Sequence, residues 1–228
     1  MALCIVTGSS SGIGKAIAQA VLAGGWNVTG FDIATPSIEH ARFKHVRVDL
    51  CDGDAAERAA ADLATVEALV HAAGVLRVGP LGKLDASGGE LMWRLHVDAI
   101  TRIANVVLPR MTEAHNGRVV LIGSRVAQGK AGRSQYAATK AALIALARSW
   151  AAESIAAGVT VNVVSPAATE TAMLDDPARK SESPVLPPLG RLIRPDEIAA
   201  LVSFLLSAQA GAITGQDIQV CGGSSLPR

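Results

Sequence analysis

The sequence of 228 residues has few aromatic side chains and no large excess of charge of either sign. Phe, Trp and Tyr together make up 3% of the chain. A core must therefore be built mainly from Ala, Val, Leu and Ile, which suits helices packed closely against a sheet. The formal net charge is +1, and the sequence has no basic run. The composition thus provides no general attraction to nucleic acid or to an anionic membrane surface.

Cysteine is scarce as well, since only Cys4, Cys51 and Cys221 are present. Their number is odd and their spacing is not that of a metal site, so we predict no metal. No apolar run reaches the length of a membrane span, and the N-terminal stretch lacks the charged region of a signal peptide. We therefore expect a cytoplasmic protein without a membrane partner.

Strand-like and helix-like segments alternate along the whole chain. Strands are predicted at 2–7, 26–32, 43–50, 67–71, 118–123, 159–165 and 216–221. Helical patterns run through 16–22, 54–63, 88–115, 135–157 and 195–207. No linker-like run rich in Gly, Ser or Pro divides the chain, so residues 1–228 are predicted to form one domain. The alternation predicts an α/β fold with a doubly wound parallel sheet of about seven strands and helices on both faces.

A glycine-rich turn follows the first predicted strand, with the sequence TGSSSGIG from Thr7 to Gly14. Glycines allow a tight turn and let a pyrophosphate approach the free N–H groups at a helix N-terminus. Asp32 ends the second strand, where a carboxylate accepts hydrogen bonds from the ribose hydroxyls of NAD and repels a 2′-phosphate. Ser11 precedes the second glycine and no basic residue closely follows Asp32, which also favours NAD. A turn without a ligand is the alternative.

The only tyrosine, Tyr136, lies four residues before Lys140 and twelve residues after Ser124. In a helix, residues four apart share a face, so the ammonium of Lys140 would stand beside the phenol and favour its ionised form. Ser124 is predicted at the end of the fifth strand, at the sheet edge where such folds bind ligands. The pattern indicates a group that moves a proton near neutral pH, although a chance spacing of two surface residues would look the same.

Further candidates belong to the same predicted edge of the sheet. Asp49 lies near the end of the third strand, and the turn Ala72-Ala73-Gly74 follows the fourth. Small residues there would let a nucleoside lie against the backbone, or would simply make a tight turn. The segment 167–191 contains four prolines and suits a lid over a site, or a surface loop.

In this order, the motifs resemble the classical short-chain dehydrogenase/reductase family. The resemblance covers nearly the whole chain and rests on the glycine turn, Asp32, Asp49, 72–74, Ser124, the segment YAATK at 136–140, 166–171 and 213–215. It implies a Rossmann-like fold that binds NAD. It also implies hydride transfer between the nicotinamide and the carbon of a small alcohol or ketone. A homodimer or homotetramer is expected by the same resemblance.

The resemblance gives each matching residue a role. Tyr136 would be the acid/base, Lys140 would lower the pKa of its phenol and hold the nicotinamide ribose, and Ser124 would hydrogen-bond the substrate oxygen. Lowering a phenol pKa of about 10 by roughly three units needs about 4 kcal/mol, which Lys140 and the charged nicotinamide ring can supply. The expected cofactor contacts are Gly8, Ser11, Gly12, Ile13, Gly14, Asp32, Asp49, Leu50, Ala72, Ala73, Gly74, Tyr136, Lys140, Pro166, Thr169 and Thr171.

Several positions depart from the family pattern. The family usually has an asparagine in the long helix before the fifth strand, and here we align it with Asp98. In the family, the main-chain carbonyl of that residue holds a water that relays protons to the lysine. Asp98 is therefore a candidate relay residue: a main-chain role would survive the change to Asp, and a carboxylate near Lys140 would alter the charge balance there. His71 replaces a mainly structural asparagine, and Ala167 replaces a glycine.

Three functions are compatible with these residues. An NAD-dependent alcohol dehydrogenase or ketone reductase is predicted, because Ser124, Tyr136 and Lys140 are all present. A dinucleotide-binding sensor or interaction protein without turnover is the second, and the change at Asp98 keeps it open. A 3-oxoacyl carrier-protein reductase is the third, although Asp32 and the near-neutral charge count against it. The substrate stays open, because Arg77, Arg125 and Arg133 would either meet an acid group or face water.

Overall fold

The computed structural model describes residues 2–175 and 185–227, and these contain one seven-stranded parallel sheet. The strand order is β3-β2-β1-β4-β5-β6-β7. The strands are β1 (Leu3–Thr7), β2 (Asn27–Asp32), β3 (Phe43–Arg47), β4 (Ala68–His71), β5 (Gly117–Ile122), β6 (Val159–Pro166) and β7 (Asp217–Val220). Each lies where the sequence predicts it, but β3 ends at Arg47 rather than at residue 50. The predicted α/β fold is confirmed.

Six α-helices connect the strands within the described parts of the chain. They are α1 (Gly12–Ala23), α2 (Gly53–Ala61), α3 (Ala86–Trp93), α4 (Ala99–Glu113), α5 (Ser134–Ser154) and α6 (Pro195–Leu206). Short 3-10 turns lie at Arg125–Gln128, Ile155–Ala157, Ala172–Asp175 and Ala208–Ala210. Across residues 2–175 and 185–227, we find no helix of the length and hydrophobicity that a membrane crossing requires.

Both faces of the sheet are covered, as predicted. Successive side chains of a strand point to opposite faces, so β1 directs Ile5 to one core and Cys4 and Val6 to the other. The first core also contains residues of α2, α4 and α5, and the second contains residues of α1 and α6. Burial on both sides explains why the central strands read as nearly continuous apolar runs.

A π-helical turn at Arg94–Asp98 separates α3 from α4, where the sequence predicts a single helix over residues 88–115. A π-turn inserts an extra residue without ending the helix. The apolar periodicity of residues 88–115 therefore does not reveal the π-turn. The π-turn nevertheless changes which side chains face inward. In this turn His96 and Val97 are buried.

The strand order reverses between β1 and β4, which is where ligands bind in open parallel sheets. The turns that follow these two strands are joined by the buried Thr7. Its Oγ1 accepts hydrogen bonds from the N–H groups of Ala72 and Ala73, both at 3.1 Å, and lies 2.9 Å from Nδ1 of His71. With two N–H groups already directed at this oxygen, the hydroxyl hydrogen is donated to the histidine ring.

We expect Thr7→Val to lower the free energy of unfolding by at least about 2 kcal/mol. The substitution keeps the shape of the side chain but leaves the buried N–H of Ala73 and the partly buried N–H of Ala72 without an acceptor. An unsatisfied buried donor costs about 1–3 kcal/mol. Denaturant unfolding of both proteins measures the difference, with Thr7→Ser as the control that keeps the hydroxyl. Equal stability of Thr7→Val and Thr7→Ser would contradict this account.

Candidate active site

A cleft opens over the carboxyl ends of the strands at the reversal point, and we call it the active cleft. It brings together fourteen of the residues predicted from the sequence, which come from five separate parts of the chain. These are Gly8, Ser11, Gly12, Ile13, Gly14, Ala72, Ala73, Gly74, Ser124, Tyr136, Lys140, Pro166, Thr169 and Thr171. The residues that sequence analysis assigned to catalysis, apart from Asp98, therefore line one surface together with the glycine turn.

Ser124 lies just beyond the end of β5 and is 7% exposed. Its Oγ accepts a hydrogen bond from the N–H of Val126 at 3.2 Å and so caps the 3-10 turn Arg125–Gln128. That bond uses a lone pair of the hydroxyl and fixes the side chain. The hydroxyl hydrogen is not consumed by it and can be donated to an oxygen atom of a ligand in the active cleft.

Lys140 is held by α5 with its ammonium inside the protein, at 4% exposure. Its Nζ donates a hydrogen bond to the carbonyl of Ile122 at 2.8 Å and lies 5.8 Å from the centroid of the Tyr136 ring. Burial lowers the pKa of Lys140 to about 7. Because burial leaves this ammonium poorly solvated, a negative charge that develops nearby is strongly favoured.

Asp98 directs its carboxylate into a groove other than the active cleft and not toward Lys140, and a relay role through its main-chain carbonyl stays a prediction. Oδ2 of Asp98 accepts a hydrogen bond from Nε of Arg102 at 3.1 Å, one helical turn along α4. Both side chains are about 40% exposed. They line a shallow groove, distinct from the active cleft, that also contains Asp49. The π-turn shifts the helical register here, so spacing alone did not identify the residue that faces the site.

His96 is the residue of this turn that reaches the active-site helix, and the sequence analysis missed it. The ring is fully buried and meets the Tyr136 ring edge to face, with centroids 5.7 Å apart and planes at 86°. Its Nε2 accepts a hydrogen bond from the N–H of Val75 at 3.0 Å, and its Nδ1 lies 2.8 Å from Oγ1 of Thr139. His96 thus ties the turn after β4 to α5. The signal in the sequence that could have identified an inward-facing His96 is its position between the apolar Leu95 and Val97.

The partners of His96 also determine its protonation state. The N–H of Val75 can only donate, so Nε2 must carry a lone pair. Oγ1 of Thr139 donates to the carbonyl of Tyr136 at 2.9 Å, so Nδ1–H of the histidine donates to that oxygen. Burial first, and then the positive charge of Lys140, hold the pKa of His96 well below its usual range. His96 is therefore a neutral ring in one tautomer.

His71 is a second buried neutral histidine behind the cleft. Its Nδ1 accepts from Thr7, as described above. Burial first, and then the charge of Lys140, lower its pKa to about 3, although the carbonyls of Leu95 and His96 act in the opposite direction. This arrangement agrees with the structural role expected of His71.

The glycine turn forms a cradle that only residues without a side chain can make. A Cβ on Gly14 would overlap the carbonyl oxygen of Gly8, and one on Gly8 would lie 2.8 Å from Cα of Ala73. Gly12 has a φ of +51°, and the methyl group of Thr171 lies 3.3 Å from the position of a Cβ there. The N-terminus of α1 has no side-chain cap from Ser11. These features fit a pyrophosphate bound to the first turn of α1.

Asp32 lies beside the glycine turn rather than in the lining of the active cleft. Its two oxygens accept hydrogen bonds from the N–H groups of Ser10 and Ala34, both at 2.9 Å. Each oxygen keeps lone-pair capacity for a sugar hydroxyl. Arg47 pairs with Asp32 in the β2–β3 register, and its Nε donates to the carbonyl of Ile33 at 3.2 Å. Arg47, which is distant from Asp32 in sequence, thus lies next to it at the same edge of the sheet.

Some predicted contacts are not brought into the active cleft. Oδ1 of Asp49 accepts a hydrogen bond from the N–H of Cys51, and the side chain of Leu50 is buried in the core. Contacts of Asp49 and Leu50 with the cofactor stay predictions. The expected lid at 167–191 includes residues 176–184, which lie outside the described part of the chain. The described start of that segment, including Thr169 and Thr171, lines the cleft.

Comparison with known proteins agrees with this geometry. A family sequence model described as enoyl-(acyl carrier protein) reductase matches residues 8–225. The chain belongs to the classical short-chain dehydrogenase/reductase family. As a member of this family it is an oxidoreductase with a nicotinamide cofactor.

Two curated relatives of this dehydrogenase/reductase illustrate the range of activities within the family. This chain is 35% identical to 2,3-dihydro-2,3-dihydroxybenzoate dehydrogenase of Escherichia coli, over 97% of this chain and 96% of the relative. It is 33% identical to 3-oxoacyl-(acyl-carrier-protein) reductase of Salmonella typhimurium, again over 97% and 96%.

Two solved structures share the fold. A short-chain dehydrogenase/reductase family protein superposes with a TM-score of 0.87 at 32% identity, covering 97% of this chain and 96% of the other. The ligand-free aldohexose dehydrogenase of Thermoplasma acidophilum superposes with a TM-score of 0.89 at 26% identity, covering 100% and 95%. The single-domain Rossmann-like architecture is therefore shared along the full length of the chain.

We expect His96→Ala to lower kcat at least about tenfold, because it removes the acceptor of the Val75 N–H and the donor to Thr139 and so loosens Tyr136 against the turn after β4. His96→Asn can restore one of these two bonds and should recover part of the loss. The measurement is kcat and the KM for NADH, each followed against pH.

Asp98→Asn is the matched control, since its carboxylate pairs with Arg102 away from the active cleft. Its kcat should stay within about twofold of the unmodified enzyme. A large loss in Asp98→Asn together with full activity of His96→Ala would instead assign the relay to the side chain of Asp98.

Proposed function

We propose that this enzyme transfers a hydride between NAD(H) and the carbinol or carbonyl carbon of a small alcohol or ketone, with Tyr136 as the general acid/base. The observation that supports this most is the position of Tyr136 next to the buried ammonium of Lys140, in the same cleft as the capped hydroxyl of Ser124. These three side chains form a set that can bind a carbonyl oxygen and exchange a proton with it.

The cofactor would occupy the groove that begins at the glycine turn. The backbone at Gly8 and 12–14 would hold the pyrophosphate, and Thr171 would contact the carboxamide of the nicotinamide. Lys140 would hold the nicotinamide ribose, and Asp32 would accept hydrogen bonds from the adenosine ribose. NADH supplies the hydride when it is bound there.

The residues of the chain supply the proton and the electrostatic stabilisation. In the reducing direction, Ser124 Oγ–H and the phenol of Tyr136 donate hydrogen bonds to the carbonyl oxygen. As that oxygen gains negative charge it takes the proton of Tyr136, leaving a phenolate. The ammonium of Lys140 stabilises the phenolate, and the neutral His96 places no second positive charge beside that ammonium.

Reduction of a 3-oxoacyl carrier protein is the second candidate, favoured by the name of the Salmonella typhimurium relative. The carboxylate of Asp32 disfavours the 2′-phosphate of NADP, the cofactor that this activity usually uses. The third function, a sensor without turnover, rested on Asp98, which pairs with Arg102 instead. A homodimer or homotetramer, expected from the family, stays a prediction.

Tyr136→Phe should retain NADH binding and lose turnover by about 10²–10⁴-fold, since only the phenolic hydroxyl is removed. NADH fluorescence gives the affinity, and absorbance of NADH with a panel of ketones and secondary alcohols gives the rates. Undiminished turnover in this variant would refute the acid/base role of Tyr136. Ser124→Ala is a useful companion, because it should lower the rate while keeping the proton donor.

We expect the enzyme to prefer NADH to NADPH and Asp32→Ala to reduce that preference at least about tenfold, because the variant loses both the ribose acceptor and the repulsion of a 2′-phosphate. Titrations of each cofactor measure the ratio of dissociation constants. Arg47→Gln is the control for the neighbouring cation and should weaken NADPH more than NADH. A strong NADPH preference of the unmodified enzyme would overturn the assignment of NAD.

A further inference from the structure

Three cationic side chains of the active cleft have no role in the mechanism proposed above. Arg125 directly follows Ser124, Lys130 lies in the loop that leads to α5, and Arg133 immediately precedes that helix. All three line the cleft. Among the described residues that line it, none is Asp or Glu.

Arg125 is the most informative of the three. Its backbone is fixed in the 3-10 turn that Ser124 caps, and its side chain is half-buried in the wall of the cleft. Within residues 2–175 and 185–227, its guanidinium makes neither a hydrogen bond nor an ion pair. A guanidinium carries five N–H donors in a planar fork that matches a carboxylate, so this side chain presents a ready binding group to the cleft.

Arg133 and Lys130 add positive charge on the same wall. Arg133 is 9% exposed and lies three residues before Tyr136, at the positive end of the dipole of α5. Arg77, which the sequence could not place, differs from them. Its guanidinium turns back to the carbonyl of Leu76 at 3.0 Å, and it is not part of the lining.

The rest of the substrate region is apolar, with Leu76, Val126, Met173 and Leu174 in the lining. A ligand that suits this cleft has a carbonyl at Ser124 and Tyr136, a short apolar body, and an anionic group directed at Arg125. The cations lie inside the cleft beside the catalytic residues, so the anion belongs to the small molecule itself. A macromolecular partner would instead meet charges on the outer surface.

We propose that the substrate is a small oxo acid or hydroxy acid whose carboxylate binds Arg125, with Arg133 and Lys130 supplying additional positive potential. This inference rests on the proposed function and specifies its substrate class. The reaction is unchanged: the carbonyl carbon gains a hydride from NADH, its oxygen gains a proton from Tyr136, and the carboxylate takes no part in bond making.

Matched pairs of ketones test the inference, each an acid and its methyl ester: 4-oxopentanoate, 3-oxocyclohexanecarboxylate and 4-oxocyclohexanecarboxylate. For at least one pair, kcat/KM should be at least about tenfold higher for the acid than for the ester, the size expected for a charge-assisted hydrogen bond. In Arg125→Gln this ratio should fall to about two or less, and Arg125→Lys should keep part of it. Arg77→Gln is the matched control and should keep the full ratio.

Equal rates for acid and ester in every pair, or an unchanged ratio in Arg125→Gln, would overturn the inference while leaving hydride transfer to neutral ketones intact. Reduction of no ketone with NADH or NADPH, with cyclohexanone included in the panel, would overturn the proposed function and this inference with it. The ratio of kcat/KM for dihydroxyacetone phosphate to that for dihydroxyacetone is measured as well. If this ratio exceeds every acid-to-ester ratio, the subsite is assigned to a phosphate instead.

A binding measurement gives a readout that does not depend on turnover. Cyclohexanecarboxylate and cyclohexanecarboxamide are titrated by calorimetry into the complex of the enzyme with NAD⁺. The carboxylate should bind at least about tenfold more tightly than the amide, and Arg125→Gln should remove the difference. Equal affinity of the two ligands for the unmodified enzyme would contradict a carboxylate subsite.

Discussion

The ammonium of Lys140 is buried with one carbonyl acceptor, and the rest of the site is arranged around this charge. Removing a cation from water is unfavourable, and the lowered pKa of Lys140 expresses that cost. The same lack of solvation makes the charge effective on a neighbouring phenolate. The backbone carbonyl at the end of β5 and the helical spacing of Tyr136 and Lys140 together fix where this effect is felt.

The two buried histidines show how the surroundings accommodate that charge. The hydroxyl of Thr7 donates to Nδ1 of His71 and the N–H of Val75 donates to Nε2 of His96, so each ring keeps a lone pair and stays neutral. A protonated ring behind the cleft would repel the buried ammonium of Lys140 and would itself be poorly solvated. Uncharged hydrogen bonds therefore connect the ends of β1 and β4 to each other and to α5, while the ammonium of Lys140 makes the bond to the end of β5.

Much of this arrangement was predictable from sequence, because it depends on local signals. The glycine turn, Asp32 and the spacing from Ser124 to Lys140 follow from backbone geometry within single segments, and the alternating pattern predicted all seven strands. The inward position of His96 depends on a π-turn that leaves the apolar periodicity nearly unchanged, so the sequence points to Asp98 and not to His96. The proximity of Arg47 to Asp32 arises from strand pairing, which the order of residues does not display.

Tyr136 is the only phenol in the chain, which has an experimental consequence. Ionisation of a phenol changes its ultraviolet absorbance, and the three tryptophans of this protein do not ionise in the same range. A spectrophotometric titration of the unmodified protein therefore reports on Tyr136, the proposed acid/base, alone, without isotopic labels or the subtraction of other tyrosines. The ionisation of that group can be followed directly with and without bound cofactor.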